Sequence, residues 1–157
     1  MNAYDLIIVS LTAGIVGTMG LTLYFAWVSG SGITRINLVS AIGAFINRSD
    51  RNAGATGLVL HFVSGIVFAG FYYFILHNVF HVSAVAPSAL AGGMIGIFHG
   101  MVSAFPVLSI TENHPVEGYR GISARAMGSH LIGHCIFGLI VGIVIGLFRM
   151  PGVVTAG

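Results

Sequence analysis

The chain contains no lysine, and charged residues of any kind make up only 6% of its 157 residues. Soluble domains carry roughly 25% charged residues, because their surfaces face water. The hydrophobic fraction of 56% and the mean hydropathy of +0.98 also indicate contact with lipid. Without lysine there is no P-loop, and six separated arginines form no basic patch along a phosphate backbone. The composition predicts an integral membrane protein and excludes nucleotide and nucleic-acid partners.

Cysteine and acidic residues are equally scarce. Cys135 is the only cysteine, which excludes an intrachain disulfide and a cysteine metal cluster. The four acidic residues all lie outside the uncharged apolar runs, which argues against carboxylate-based ion pumps and most coupled transporters. With no catalytic carboxylates in these runs, we expect a protein that is not an enzyme.

Four uncharged apolar runs predict the fold. A spanning helix needs about 20 apolar residues, and the runs predict spans at about 5–28, 55–80, 87–106 and 126–148, with Pro106 ending the third helix. The spans leave no room for a soluble domain. We therefore expect an all-α, polytopic four-helix bundle, a single membrane domain over residues 1–157.

The arginines predict the orientation of this bundle. Five of the six lie in the first and third connections, namely Arg35, Arg48, Arg51, Arg120 and Arg125. Positive residues in short loops stay cytoplasmic. Both termini should therefore face the periplasm or exterior, in what we expect to be a bacterial cytoplasmic membrane. Trp27 and Tyr72 lie towards opposite ends of their spans, as an interfacial aromatic belt would require.

The first cytoplasmic loop should contain a short interfacial helix. Asn37 is a suitable N-cap residue, and the apolar residues from Leu38 to Ile46 recur at helical spacing. We expect this helix to lie at the membrane surface and cover the end of the bundle.

The two halves of the chain, about 1–80 and 84–157, repeat one motif. A histidine, a glycine four residues later and a small residue four further on begin at His61 in the second span and at His134 in the fourth. Two repeated helical hairpins of the same orientation imply a pseudo-twofold axis along the membrane normal. His61 and His134 should face each other across that axis.

Glycines in the third and fourth spans form two stripes for close helix packing. Such a stripe allows a helix of the same chain, a second copy, a partner subunit or a flat cofactor to approach. The stripes consist of Gly92, Gly96 and Gly100, and of Gly138, Gly142 and Gly146.

Histidine is the most informative polar residue of the spans. Counting ~1.5 Å per residue along each helix places four histidines roughly 8–14 Å inside the cytoplasmic boundary, at nearly one depth. These are His61, His99, His130 and His134.

A b-type haem is the first ligand that these histidines could hold. Two neutral imidazoles on facing helices, His61 and His134, are the usual axial pair. In outline, this arrangement resembles the four-helix haem-binding bundles of membrane b cytochromes. Room for the porphyrin edge would come from Gly14, Gly17, Gly93 and Gly96, which otherwise serve helix packing.

Two other chemistries remain open beside haem. His130 and His134 share one helix face and could bind zinc or copper with His99 or His61. A histidine near the interface could instead donate to a quinone carbonyl or carry a proton, with Glu112, His114 and Glu117 approaching from the loop. The alternative to all three is that each histidine only bonds the next helix and fixes packing.

The motifs around the repeated histidines resemble those of a broad group of small four-helix bacterial membrane proteins. They are the segments 57–69 and 133–142, which carry the His-x3-Gly-x3-small pattern at His61 and His134. Because this group has no established activity, the resemblance implies fold and localisation only.

These observations predict a non-catalytic accessory subunit that packs against other membrane subunits, such as those of an energy-conversion assembly, or against copies of itself. The first alternative is a small b-type cytochrome that passes electrons between a quinone and a partner. The second is a membrane protein with a histidine-lined metal or quinone site.

Overall fold

The computed structural model describes residues 3–34 and 37–149, and this part of the chain is helical without a strand. Arg35 lies outside these ranges, as do the first two residues and residues 150–157. One 3-10 turn, Glu117–Tyr119, precedes the last helix. The helices are α1 (Ala3–Gly30), α2 (Leu38–Asn47), α3 (Ala53–Asn78), α4 (Val85–Glu112) and α5 (Ala124–Phe148).

The four long helices α1, α3, α4 and α5 are 25 to 28 residues long and apolar enough to cross a membrane. Their outer faces carry large apolar side chains such as Met94 and Phe105, which only lipid or another apolar surface would cover. The predicted all-α four-helix membrane fold is confirmed. We call the end that carries α2 and residues 113–123 the loop end of the bundle.

The predicted end of the third span at Pro106 is wrong, because α4 continues through this proline to Glu112. Proline removes one backbone hydrogen bond, and membrane helices tolerate this loss where neighbouring groups satisfy the freed carbonyl. The third connection is therefore shorter than expected and covers residues 113–123.

The predicted short helix of the first loop is present as α2. The Asn37 side chain accepts a hydrogen bond from the Ser40 amide at 3.1 Å and caps the first turn. Close packing fixes α2 against the start of α3, because a Cβ atom on Gly43 would overlap the Ala53 carbonyl oxygen. A Cβ atom on Gly57 would overlap the backbone of α2 in the same way.

The two glycine stripes of the sequence face each other within this chain. A Cβ atom on Gly138 would overlap the Gly92 carbonyl oxygen, and a Cβ atom on Gly142 would overlap that of Ser88. Gly96 lies as closely on the backbone at His134. The stripes thus bring the backbones of α4 and α5 together, and neither is free for a partner.

Around the bundle the helices are ordered α1, α3, α4 and α5. The four contacts between neighbouring helices, which we call seams, differ in how closely the helices pack. The α4–α5 seam is the closest, α1 packs well against both α3 and α5, and α3 meets α4 at few positions. An exact twofold relation between the hairpins would make the α1–α5 and α3–α4 seams equivalent. The structure instead closes the first and leaves the second loose.

Candidate functional site: a histidine-lined cavity

A cavity of about 190 Å³ lies inside the bundle towards the loop end, and all five helices line it. Four of its lining residues are histidines: His61 from α3, His99 from α4, and His130 and His134 from α5. The structure thus brings together the four histidines that the sequence placed at one depth. The rest of the lining is mainly apolar and includes Leu21, Phe25, Phe68, Val107, Ile110 and Phe137.

Three of the four imidazoles form a close cluster. The ring centroids of His130 and His134 are 4.2 Å apart, and those of His99 and His134 are 4.8 Å apart in an edge-on arrangement. His61 contacts a different ring, that of Phe25, at a centroid distance of 6.3 Å. His61 and His134 therefore share the cavity, but each has its own set of neighbours.

Hydrogen bonds orient the rings on α5. His134 Nδ1 donates to the His130 carbonyl oxygen at 2.9 Å, which leaves the Nε2 lone pair of a neutral His134 as an acceptor. The Ser103 hydroxyl of α4 lies 2.9 Å from His130 Nε2 and 3.5 Å from His134 Nε2. A donation from this hydroxyl to His130 Nε2 places the proton of a neutral His130 ring on Nδ1.

Other polar atoms of the cavity lining have no such partner. Among the described residues, seven buried side-chain atoms have no hydrogen bond. Three of them belong to residues that line the cavity, namely His61 Nε2, His130 Nδ1 and the Thr18 hydroxyl. Thr18 is 0% exposed and His130 is 3% exposed. A buried polar group without a partner costs about 1–3 kcal/mol, so its presence needs an explanation, such as a bound molecule.

Tyr72 does not line the cavity but contacts His99, which does, although its position in the sequence predicted an interfacial belt. That prediction is wrong, because Tyr72 is only 2% exposed and its hydroxyl lies 3.3 Å from His99 Nδ1. The Phe68 ring stacks near the same imidazole at a centroid distance of 4.0 Å. One signal was available, since residue 72 follows His61 by three helical turns and so lies on the same face of α3.

The predicted metal site at His99, His130 and His134 is not formed. Within residues 3–34 and 37–149, no group of three or more His, Cys, Asp or Glu side chains is arranged to hold a metal ion. His61, the other candidate ligand, lines the same cavity, whereas His114 lies in the loop after α4.

The residues predicted to make room for a haem do not fit one. A Cβ atom on Gly14 would lie 2.5 Å from the Ile66 Cα, so α3 fills the space beside this glycine. Gly17, Gly93 and Gly96 are likewise covered by atoms of α5. The cavity itself is also smaller than the ~300–1,000 Å³ of pockets for drug-sized ligands, and a porphyrin is large even for that class. The four glycines therefore serve helix packing.

No protein-family model, curated protein or solved structure matches the chain.

Proposed function

We propose that this chain is a non-catalytic subunit of a membrane electron-transfer assembly and that its cavity binds the head group of a quinone. The observation that carries the proposal is the set of unpartnered buried polar atoms, on His61, His130 and Thr18, around a cavity with otherwise apolar and aromatic walls. A quinone ring has two carbonyl acceptors and a flat apolar body. Imidazole N–H and hydroxyl groups donate to such carbonyls, and aromatic rings cover the body.

The size of the cavity supports a single ring. Its volume of about 190 Å³ lies below the ~300–1,000 Å³ of pockets for drug-sized ligands. A substituted six-membered ring fits that space, whereas a porphyrin does not. The small b-type cytochrome is therefore the weaker proposal, and electron transfer would be the task of a partner.

The proposed accessory role depends on the outer faces of the helices and not on the glycine stripes. A partner subunit was one of the neighbours predicted for the glycine stripes, but α4 and α5 use them against each other. Contact with other subunits is left to the large apolar side chains on the outer faces of the helices, such as Phe98 and Phe105.

The proposed orientation places the loop end in the cytoplasm of a bacterium. Arg48, Arg51, Arg120 and Arg125 lie at this end, whereas Arg149 lies at the other and donates to the Val82 carbonyl oxygen. The arginine excess favours the cytoplasmic side. The cavity would then lie in the cytoplasmic half of the membrane.

Thr18→Val gives the sharpest test, because valine keeps the shape of threonine and removes only the hydroxyl. If the hydroxyl donates to a quinone, the variant binds decyl-benzoquinone more weakly, by up to about tenfold for a bond of ~1.4 kcal/mol. The ligand-free variant should be more stable than the wild type, since an unpartnered buried hydroxyl is gone. Opposite signs of the two effects distinguish a binding group from a packing group.

The measurement uses purified protein in lipid nanodiscs. Mass spectrometry of its organic extract reports bound quinone, and titration with decyl-benzoquinone gives the affinity of the wild type and of Thr18→Val, His61→Ala and His130→Ala. His81→Ala, at an exposed position outside the cavity, is the control and should bind like the wild type. Wild-type protein that neither co-purifies with quinone nor binds the probe would overturn the proposal.

A further inference from the structure

The walls of the histidine-lined cavity differ sharply in their exposure. On the α1 and α5 sides, Thr18 is 0%, Phe137 is 2% and His130 is 3% exposed. On the α3–α4 side, Ser64 and Pro106 are exposed although both line the cavity, and Phe68 is 38% exposed. The cavity is thus enclosed on two sides and reaches the surface along the loose α3–α4 seam.

The loop end of the cavity is closed by α2. Leu38 and Val39 line the cavity from this helix and are themselves buried. His114, which is 0% exposed, fixes α2 in place, because its Nε2 donates to the Ala41 carbonyl oxygen at 2.9 Å. Its Nδ1 accepts from the Val116 amide at 3.0 Å, so the same ring also fixes the loop after α4.

Towards the other end of the bundle, three side chains close the α3–α4 seam. Phe68 and Tyr72 of α3 both meet His99 of α4, through the ring contact at 4.0 Å and the hydrogen bond at 3.3 Å. The opening is therefore limited to the stretch between this contact and α2. We call this stretch the lateral mouth, and its exposed lining residues are Ser64 and Pro106.

We propose that the cavity opens through the lateral mouth into the hydrocarbon of the bilayer and takes its ligand from the lipid phase. The mouth lies on long apolar helices whose outer faces carry large apolar side chains, and α2 blocks the aqueous side. A molecule that fits both parts has a hydrogen-bonding ring for the cavity and an alkyl or isoprenoid tail for the mouth. The identity of that ring as a quinone rests on the proposed function, but the position of the mouth does not.

The route is tested with a cysteine inside the cavity. Ser103→Cys is made in a Cys135→Ala background, so that the new thiol is the only one. In sealed vesicles of both orientations, lipid-soluble pyrenyl maleimide should label this thiol, and a charged methanethiosulfonate should not. Equal labelling by both reagents after denaturation in SDS shows that the thiol reacts with either reagent once it is accessible. Labelling of folded protein by the charged reagent would overturn the lateral route.

The place of the mouth is tested by protection from labelling. Ser64→Cys puts a thiol in the mouth, and Val63→Cys puts one on the neighbouring, exposed position outside the cavity lining. Decyl-benzoquinone at about ten times its Kd leaves about one site in eleven free. The rate at which pyrenyl maleimide labels the thiol at position 64 should therefore fall about tenfold. Labelling at position 63 should not change.

The outcomes separate the two proposals. Lateral labelling of Ser103→Cys without protection by decyl-benzoquinone supports the mouth and contradicts the quinone. Binding of decyl-benzoquinone together with aqueous labelling of Ser103→Cys supports the quinone and contradicts the mouth. Equal protection at positions 63 and 64 would place the tail elsewhere on α3 and would contradict the proposed position of the lateral mouth.

Discussion

Tyr72 and His99 connect α3 to α4 across the loosest seam of the bundle, with the Tyr72 hydroxyl 3.3 Å from His99 Nδ1. The tyrosine ring also packs edge-on against Phe137 of α5, at a centroid distance of 5.6 Å. One side chain of α3 thus contacts both helices of the opposite hairpin. This contact holds the seam closed on one side of the lateral mouth.

Tyr72→Phe should weaken this connection while keeping the ring contacts. Hydrogen bonds between membrane helices contribute on average about 0.6 kcal/mol and at most about 1.7 kcal/mol, so we expect a loss of free energy of unfolding in that range. Reversible unfolding in mixed SDS micelles measures it. Tyr4→Phe, at an exposed position on α1, is the control, and an equal effect of both substitutions would contradict the role of the bond.

Gly138→Ala should separate α4 from α5. The added Cβ atom would overlap the Gly92 carbonyl oxygen, and backbone cannot rotate away as a flexible side chain can. Overpacking of this kind costs about 1–3 kcal/mol, which the same unfolding measurement would detect. Gly128→Ala is a matched control on α5, because nothing lies within 4 Å of its added Cβ atom. A Gly138→Ala protein as stable as Gly128→Ala would show that the helices are not in backbone contact.

His114→Ala should release α2 and the loop after α4 together. The substitution removes the donor to the Ala41 carbonyl and the acceptor for the Val116 amide, and a buried group left unpaired costs about 1–3 kcal/mol. Hydrogen exchange followed by mass spectrometry should become faster in peptides of both segments. Asn113→Ala, at the exposed neighbouring position, should leave exchange unchanged. Wild-type exchange in His114→Ala would contradict this prediction.

The stability of the protein should depend on pH through Tyr119, which lies at the loop end of the bundle. Burial raises the pKa of Tyr119, and the Asp50 carboxylate, which is hydrogen-bonded to it, raises it further. Because the pKa in the folded protein lies above the unfolded value, this contribution to stability is complete below the unfolded pKa. It is lost as the pH rises through the folded pKa.

Asp50→Asn should lower the pKa of Tyr119 towards its ordinary value. The absorbance of tyrosinate, taken as the difference between each protein and the same protein with Tyr119→Phe, follows this titration. Glu117→Gln removes a nearby charge that does not contribute to the shift, and it should leave the titration in place. An unchanged curve in Asp50→Asn would rule out the carboxylate as a cause.

The visible spectrum distinguishes the haem alternative from the proposed function. We expect the dithionite-reduced minus oxidised spectrum of gently solubilised protein to show no haem α-band, because neighbouring helices fill the space beside Gly14 and Gly96. Pyridine haemochrome analysis gives the stoichiometry. One haem per chain would contradict this expectation and assign His61 and His134 as the axial ligands.

Much of the fold follows from the sequence, because lipid requires long apolar helices and the chain supplies four of them. The N-cap at Asn37 was also predictable, since capping depends on a few neighbouring residues. The helix end predicted at Pro106 is wrong because the rule that proline ends a helix comes largely from helices in water. In α4 the helix simply continues to Glu112.

The candidate site was predictable only in part. Residue counting placed four histidines at one depth, and the structure gathers them around one cavity. Counting along one helix does not tell which stripe of another helix it will meet, so the partners of Gly138 and the inward position of Tyr72 were not foreseen. The opening at Ser64 depends on how side chains fill a seam, which no periodicity encodes.

The glycine contact between α4 and α5 determines which helices of this protein can move relative to each other. Where backbone touches backbone there are no rotamers to readjust, so this helix pair must move as a unit. Helix α3 meets α4 through a few flexible side chains, Phe68 and Tyr72 among them. Helix α3 lies on the backbone of α1 at Gly14 in the same way, whereas α1 meets α5 through side chains. The softest motion that would widen the cavity is therefore a rotation of the α1–α3 pair away from the α4–α5 pair, about the contacts between α1 and α5.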